Sequence, residues 1–334
     1  MHIGVLGAGS WGTTLAVVLH GNGHDVTLWC WNRGDADIMR STRRNRDYLP
    51  ELVLPDTLCI TDDLDKASVG MDMLVVSTPS QFVRSVLASL DGRRIGTPLI
   101  VNVAKGIEKG SLLRMSEVVS QTLPSIPESM YTVLSGPSHA EEVSARKATT
   151  VVAASLDGET CQIVQNAFMT EYFRVYSSTD VPGVEIGGSL KNVIAIGAGI
   201  IDGGGYGDNT KAALITRGIA EMRRLGMAMG ADPHTFAGLS GLGDLIVTTM
   251  SRHSRNRFVG EELGRGRTLG DVLDSMKMVA EGVETTRSAH ELALRLGVEM
   301  PITHQVHAIL FERKEPVRAL RDLMTRAAKD EVWS

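Results

Sequence analysis

Three glycines near the N-terminus constrain this chain more than any other feature. Gly7, Gly9 and Gly12 stand in the pattern G-x-G-x-x-G, directly after the apolar run at residues 2–6 and directly before residues 13–20, which read as a helix. In a strand, glycine turn, helix unit the first glycine permits the tight turn. The second lets backbone approach a pyrophosphate, and the third lets the helix pack on the strand. The helix N-terminus then presents N–H donors and the positive end of its dipole to phosphate. The pattern is weak alone, but here it opens an alternating chain, the context that makes it a prediction of dinucleotide binding.

The alternation continues. Residues 26–29, 73–77 and 99–103 are continuous apolar runs of strand length, as expected for strands covered by helices on both faces, and residues 81–90 and 112–123 are helical stretches between such runs. Residues 131–134, 149–153 and 173–176 read as further strands. The expected fold is therefore an α/β Rossmann domain built on a doubly wound parallel sheet. Past Pro182 the strand-like runs stop, and helices are expected at 184–201, 211–229, 285–296 and 303–311, the last starting just after Pro301. This divides the chain into an NAD(P)-binding domain, residues 1–182, and an all-α C-terminal substrate domain, residues 183–334. No repeat or low-complexity linker separates them, so a broad shared interface holding the ligand cleft is expected.

A length of 334 residues agrees with two cores at roughly 150 residues per domain. With 34 Lys+Arg against 39 Asp+Glu, the net charge of −5 leaves no cationic surplus for holding nucleic acid. Anionic ligands must be held by local groups. The first 24 residues carry no Lys, Arg, Asp or Glu, yet there is no basic leader and six glycines interrupt them. The longest apolar run, residues 15–19, falls far short of the roughly 20 residues of a membrane span, and a cytoplasmic protein is expected. Cys30, Cys59 and Cys161 show neither zinc spacing nor a disulfide framework and read as small buried hydrophobes in a reducing compartment. The histidine pairs His20/His24 and His304/His307 lack companion carboxylates or thiols, so no metal is expected.

An enzyme strict for NAD places Asp or Glu at the end of the second strand, about 20 residues beyond the glycines. This chain has Trp29-Cys30-Trp31-Asn32-Arg33 there. Either Arg33 neutralises a 2′-phosphate while a tryptophan covers the adenine, or Arg33 is solvated and Trp31 is core. The first reading predicts that NADP(H) is accepted at least as well as NAD(H). Further on, Lys191 is the only cation in residues 186–201, among Leu190, Val193, Ile194, Ile196, Ile200 and Ile201. Desolvation there would lower its pKa toward neutrality and suit it to acid–base work. Periodicity equally allows a lysine that snorkels to the helix surface.

Residues 188–199 (GSLKNVIAIGAG), with Asp202-Gly203 and Tyr206-Gly207-Asp208-Asn209, closely resemble the signature of NAD(P)-dependent sn-glycerol-3-phosphate dehydrogenases. The resemblance covers nearly the whole chain through residues 102–108 (NVAKGIE), 135–142 (SGPSHAEE), 241–244 (GLGD) and 254–256 (SRN). The chain departs from the family at Ser189, usually Ala or Thr; at Gly204, usually aliphatic; at His139, commonly Phe; and at Trp31-Asn32, where a basic residue is frequent. The last departure bears on the adenosine contacts.

The resemblance implies reversible reduction of dihydroxyacetone phosphate by NAD(P)H to sn-glycerol 3-phosphate, the backbone of phospholipids. It makes Lys191 the proton donor to the carbonyl oxygen and Lys105 a second lysine that stabilises the developing alkoxide. Asp244 then orients Lys191 or a substrate hydroxyl. Ser254 is placed as the N-cap of a helical run, so that Ser254, Arg255 and Asn256 form a phosphate seat. Gly136 and Ser138 match substrate contacts. Ser10, Trp11, Ala140, Val279 and Glu281 match cofactor contacts, with Lys105 and Arg255 reaching both ligands. His139, beside the substrate motif, is the histidine to watch. The apolar helical domain and the resemblance favour a homodimer. Two alternatives are a two-domain hydroxyacid or phosphogluconate-type dehydrogenase, disfavoured by the phosphate seat and the signature, and a nonenzymatic dinucleotide sensor, which would need neither Lys191 nor Lys105.

Overall fold

Short strands that are apolar on both faces pair only where helices cover both sides, and this chain builds one such sheet. The structure, a computed structural model, describes residues 1–90, 92–328 and 330–331. Its strands are β1 His2–Leu6, β2 Asp25–Trp29, β3 Arg44–Asn45, β4 Leu49–Val53, β5 Cys59–Thr61, β6 Met73–Val76, β7 Leu99–Asn102, β8 Tyr131–Ser135, β9 Thr149–Ala154 and β10 Phe173–Ser178. Eight form the sheet in the order β10-β9-β8-β7-β6-β1-β2-β5, and β3 with β4 makes a separate small hairpin. Along β1, Ile3 and Val5 enter one core and Leu6 the opposite one, the period-two division of a doubly covered strand.

The doubly wound sheet is as expected, with one correction: β8 and β9 pair antiparallel, while all its other neighbours are parallel. Residues 136–148 stay at one end of the sheet, where Ser138 and Ala140 line a cleft, so the chain re-enters in the reverse direction without a crossover. The hairpin and the three-residue β5 were not foreseen, being short or polar. The expected helix at 81–90 is a 3₁₀ turn at Ser80–Phe82 followed by Val83–Ala88, and the one at 112–123 starts at Met115. Strand order reverses around β1, which lies between β2 and β6, so the glycine turn after β1 occupies the switch point where ligands enter such sheets.

Among the described residues, every element after β10 is helical. The longest, Val181–Gly204, starts with Asp180 accepting from the Gly183 N–H and with Pro182 in its first turn, and stops at Gly205 in the left-handed region. By length and composition it is apolar enough to cross a bilayer, but its apolar window is entirely buried in protein. Around it pack Asp208–Ala228, Asp244–Met250, Arg255–Gly264, Glu281–Leu296 and Pro301–Phe311. A Cβ on Gly199 would lie 2.0 Å from Arg257 O, and one on Gly260 1.9 Å from Ile196 O, so glycines let the backbones of Val181–Gly204 and Arg255–Gly264 touch. That approach brings the start of the second helix beside the middle of the first. Cys30 and Cys161 are buried as expected, and Cys59 is half-buried; all three are free.

Candidate active site

Gly7 adopts φ +123°, which a side chain rarely tolerates, and a Cβ on it would meet Ser77 and Thr78 backbone at 2.9 Å. A Cβ on Gly12 would sit 1.9 Å from Gly7 O, the close helix–strand contact expected of the third glycine. Nothing lies within 4 Å of the Cβ position of Gly9. That open side, with helix α1 Ser10–Gly21 lacking any side-chain cap, fits the pyrophosphate of a dinucleotide. At the end of β2, Asn32 is the N-cap of helix α2 Arg33–Thr42, accepting from Asp35 N at 3.1 Å. Trp31 is 75% exposed, which removes the core alternative for it, and Arg33 is exposed beside it. No carboxylate stands at residues 29–33.

The chemical centre is a carboxylate shared by two lysines. Asp244 opens the helix Asp244–Met250 and is fully buried. Its Oδ1 accepts from Lys191 Nζ and its Oδ2 from Lys105 Nζ at 2.8 Å, and Lys105 also donates to Gly136 O at 3.2 Å. Lys191 donates in addition to Thr248 Oγ1 at 2.9 Å. The snorkelling alternative for Lys191 is thereby replaced by a buried, fixed ammonium. Desolvation lowers its pKa to about 7, Asp244 opposing the shift and the Lys105 charge adding to it. Burial alone would raise Asp244, but the two ammonium groups hold it below the ordinary carboxylate range. Gly188 makes room for this group, because a Cβ there would crowd Ser135 Oγ and the Lys105 stem.

Opposite the lysines, Ser254 is the N-cap that the sequence predicts, its Oγ accepting from Arg257 N at 3.2 Å. The adjacent Arg255 places Nη1 on Val279 O at 2.9 Å, leaving further guanidinium donors free for an anion. Asn256 accepts from Gly282 N at 2.9 Å and so ties this helix to Glu281–Leu296. Glu281 accepts from Ser80 N at 2.8 Å, bridging to the sheet, and burial raises its pKa.

A cavity of about 200 Å³ joins these parts. Among the expected residues, Ser10, Trp11, Lys105, Ser138, Ala140, Lys191, Ser254, Arg255, Asn256, Val279 and Glu281 line it. Gly7, Gly9, Gly12, Gly136 and Asp244 are not in its lining, and Gly136 and Asp244 support Lys105 from behind; Trp31, Asn32 and Arg33 stand apart at the end of β2. Thr248, Asn192 and His253 also line the cavity and were not singled out. Thr248 lies one helical turn after Asp244, a spacing that could have flagged it. Burial, then the Lys191 charge, lowers the pKa of His139, the watched histidine, whose ring lies 5.9 Å from that of His253. A larger cavity, about 450 Å³, lies among the helices near Ile200, Leu214, Val306 and Leu323 and is lined by neither the glycine turn nor the lysines. The chemistry, not the size, identifies the smaller one. No group of three metal-ligating side chains gathers among the described residues.

Comparison with known proteins points the same way. The family model described as NAD-dependent glycerol-3-phosphate dehydrogenase N-terminus matches residues 2–161, and the C-terminus model matches residues 180–321. A glycerol-3-phosphate dehydrogenase [NAD(P)+] of Prosthecochloris aestuarii is 55% identical over 99% of this chain and 100% of that protein. One from Salinibacter ruber is 53% identical over 99% and 97%. The crystal structure of glycerol-3-phosphate dehydrogenase from Coxiella burnetii superposes with a TM-score of 0.93 at 39% identity, covering 97% of this chain and 99% of that one. D-mandelate dehydrogenase, at 11% identity and a TM-score of 0.62, shares the fold alone.

Proposed function

The chain belongs to the NAD-dependent glycerol-3-phosphate dehydrogenase family, and we propose that Lys191, Lys105 and Asp244 carry its reversible reduction of dihydroxyacetone phosphate to sn-glycerol 3-phosphate. The observation that carries this assignment is one buried carboxylate holding two ammonium groups in a cavity between the glycine turn and a capped helix start.

NAD(P)H, when bound, supplies the hydride to the ketone carbon. Gly7, Gly9 and Gly12 hold its pyrophosphate at the uncapped start of α1, with Ser10, Trp11, Ala140, Val279 and Glu281 around it. Ser254, Arg255 and Asn256 seat the substrate phosphate, with Gly136 and Ser138 flanking the ketone. Lys191 gives one proton from Nζ to the carbonyl oxygen: an N–H bond breaks, an O–H bond forms, and neutral lysine remains to be reprotonated from solvent. Lys105 faces the same oxygen as a fixed positive charge and stabilises it as it becomes negative. Asp244 keeps both ammonium groups in place, and Thr248 fixes the second direction of Lys191.

At the adenosine end, the exposed Arg33 and Trp31 and the missing carboxylate support acceptance of NADP(H) at least equal to that of NAD(H). The family implies a role in supplying phospholipid precursors. We assign residues 1–182 to the cofactor domain and residues 183–334 to the substrate domain, in a cytoplasmic homodimer. The test is oxidation of NADH and of NADPH with dihydroxyacetone phosphate, read from the loss of nicotinamide absorbance. Turnover with both is expected; strong preference for NADH would remove Arg33 from the cofactor site, and no turnover with either would remove the assignment.

A further inference from the structure

Glu185 is a buried carboxylate that the reaction itself does not use. It is 6% exposed and lies on Val181–Gly204, six residues before Lys191. Among the described residues, every hydrogen-bond partner of its carboxylate comes from the sheet domain. Oε1 accepts from the Tyr131 hydroxyl and from Ser116 N, each at 2.7 Å. Oε2 accepts from Ser116 Oγ at 2.7 Å and from Arg114 Nη1 at 3.0 Å. Burying a carboxylate is costly unless its lone pairs are used, and here four donors use them. Such a group fixes a geometry, because any slip leaves the charge buried and unpaired.

The placement of these partners gives the geometry a purpose. Tyr131 begins β8, and Gly136, just past the end of β8, accepts from Lys105. The long helix is therefore held directly to β8 at Glu185 through the clamp. About 9 Å further along its axis, Lys191 is linked to Gly136, beyond the far end of that strand, through the Asp244 carboxylate it shares with Lys105. A slip of one residue would carry Lys191 about 1.5 Å along the axis and turn it by roughly 100°.

We infer that Glu185 is a positioning residue for this reaction: held by Tyr131, Ser116 and Arg114, it sets the register of the Val181–Gly204 helix against the sheet and thereby keeps Lys191 Nζ on Asp244 and Thr248. The inference rests on Lys191 being the proton donor. Its test compares Glu185→Gln, the milder Tyr131→Phe and Lys191→Ala with the parent enzyme in NADH-dependent reduction of dihydroxyacetone phosphate across a pH series. Glu185→Gln is expected to lower kcat about 10- to 100-fold, as misplacement of a catalytic group by an ångström does, with the KM for NADH unchanged. The alkaline fall of the reductive rate moves to higher pH, because a displaced ammonium gains water and relief of desolvation, the largest cause of the lowered Lys191 pKa, outweighs the weakened Asp244 contact. Tyr131→Phe gives a smaller change in the same direction, and it alone carries the test should Glu185→Gln not fold. The position of a pH limb is independent of how much of a preparation is active, so a purely structural role would leave it in place. Folded variants with the parental kcat, or a rate loss with an unmoved limb, would overturn the inference. A Lys191→Ala enzyme that keeps its kcat would instead overturn the acid–base assignment beneath it.

Discussion

At the scale of the residue, the proposed mechanism turns on the proton of Lys191. Its pKa of about 7 follows from burial, with Asp244 restraining the shift and Lys105 adding to it. The reductive direction consumes the ammonium form, so its rate should fall as pH rises through about 7. The oxidative direction needs the neutral amine and should rise over the same interval. Opposite slopes in kcat/KM profiles of the two directions would confirm the role, and parallel slopes would contradict it. Lys191→Ala should cost about 10²- to 10⁴-fold in kcat and leave cofactor binding nearly intact, as titration by nicotinamide fluorescence would show. Arg255→Ala removes a charge-assisted donor from the phosphate seat and should raise the KM for dihydroxyacetone phosphate by about tenfold or more. An unchanged KM would take Arg255 out of the seat.

Among the elements, helix starts do most of the joining. Ser254, Asn32 and Asp180 cap the helices that follow them, each with its own side chain. Glu221 does the same across space: from Asp208–Ala228 it accepts from Ile302 N, from Thr303 N at 3.1 Å and from Thr303 Oγ1 at 3.0 Å, at the start of Pro301–Phe311. Despite these donors, burial raises its pKa to about 7. A carboxyl whose pKa is higher folded than unfolded contributes its stability fully below about 4.5 and loses it as pH rises through about 7. At about 1.4 kcal/mol per unit, the effect is at most about 3.5 kcal/mol. Urea midpoints of the parent should carry this decline between pH 4.5 and 7. Glu221→Gln should flatten it, and a variant with the parental slope would place the titration elsewhere.

For the whole molecule, the switch point of the sheet and the glycine-mediated contact of two helices bring the glycine turn, the two lysines and the capped helix start at Ser254 to one cleft. The homodimer proposed above is a matter of mass at this scale. Light scattering should give twice the 36.0 kDa of one chain, and a monomer mass at working concentration would refute the homodimer.

The glycine turn, the apolar strands, the capped start at Ser254 and the run of helices past Pro182 were legible in the sequence, because each depends on backbone conformation and periodicity among near neighbours. The resemblance carried over Lys191, Lys105 and Asp244 as names with roles. Their mutual geometry was decided only by the tertiary structure: the partners of Asp244 lie 53 and 139 residues away, and no local pattern states such a distance. The same holds for the antiparallel return of β9, for Thr248 on Lys191 and for the Glu185 clamp. A helix apolar on every side has no period that tells which face a lysine takes, and only the neighbours packed around Val181–Gly204 turned Lys191 inward and lowered its pKa.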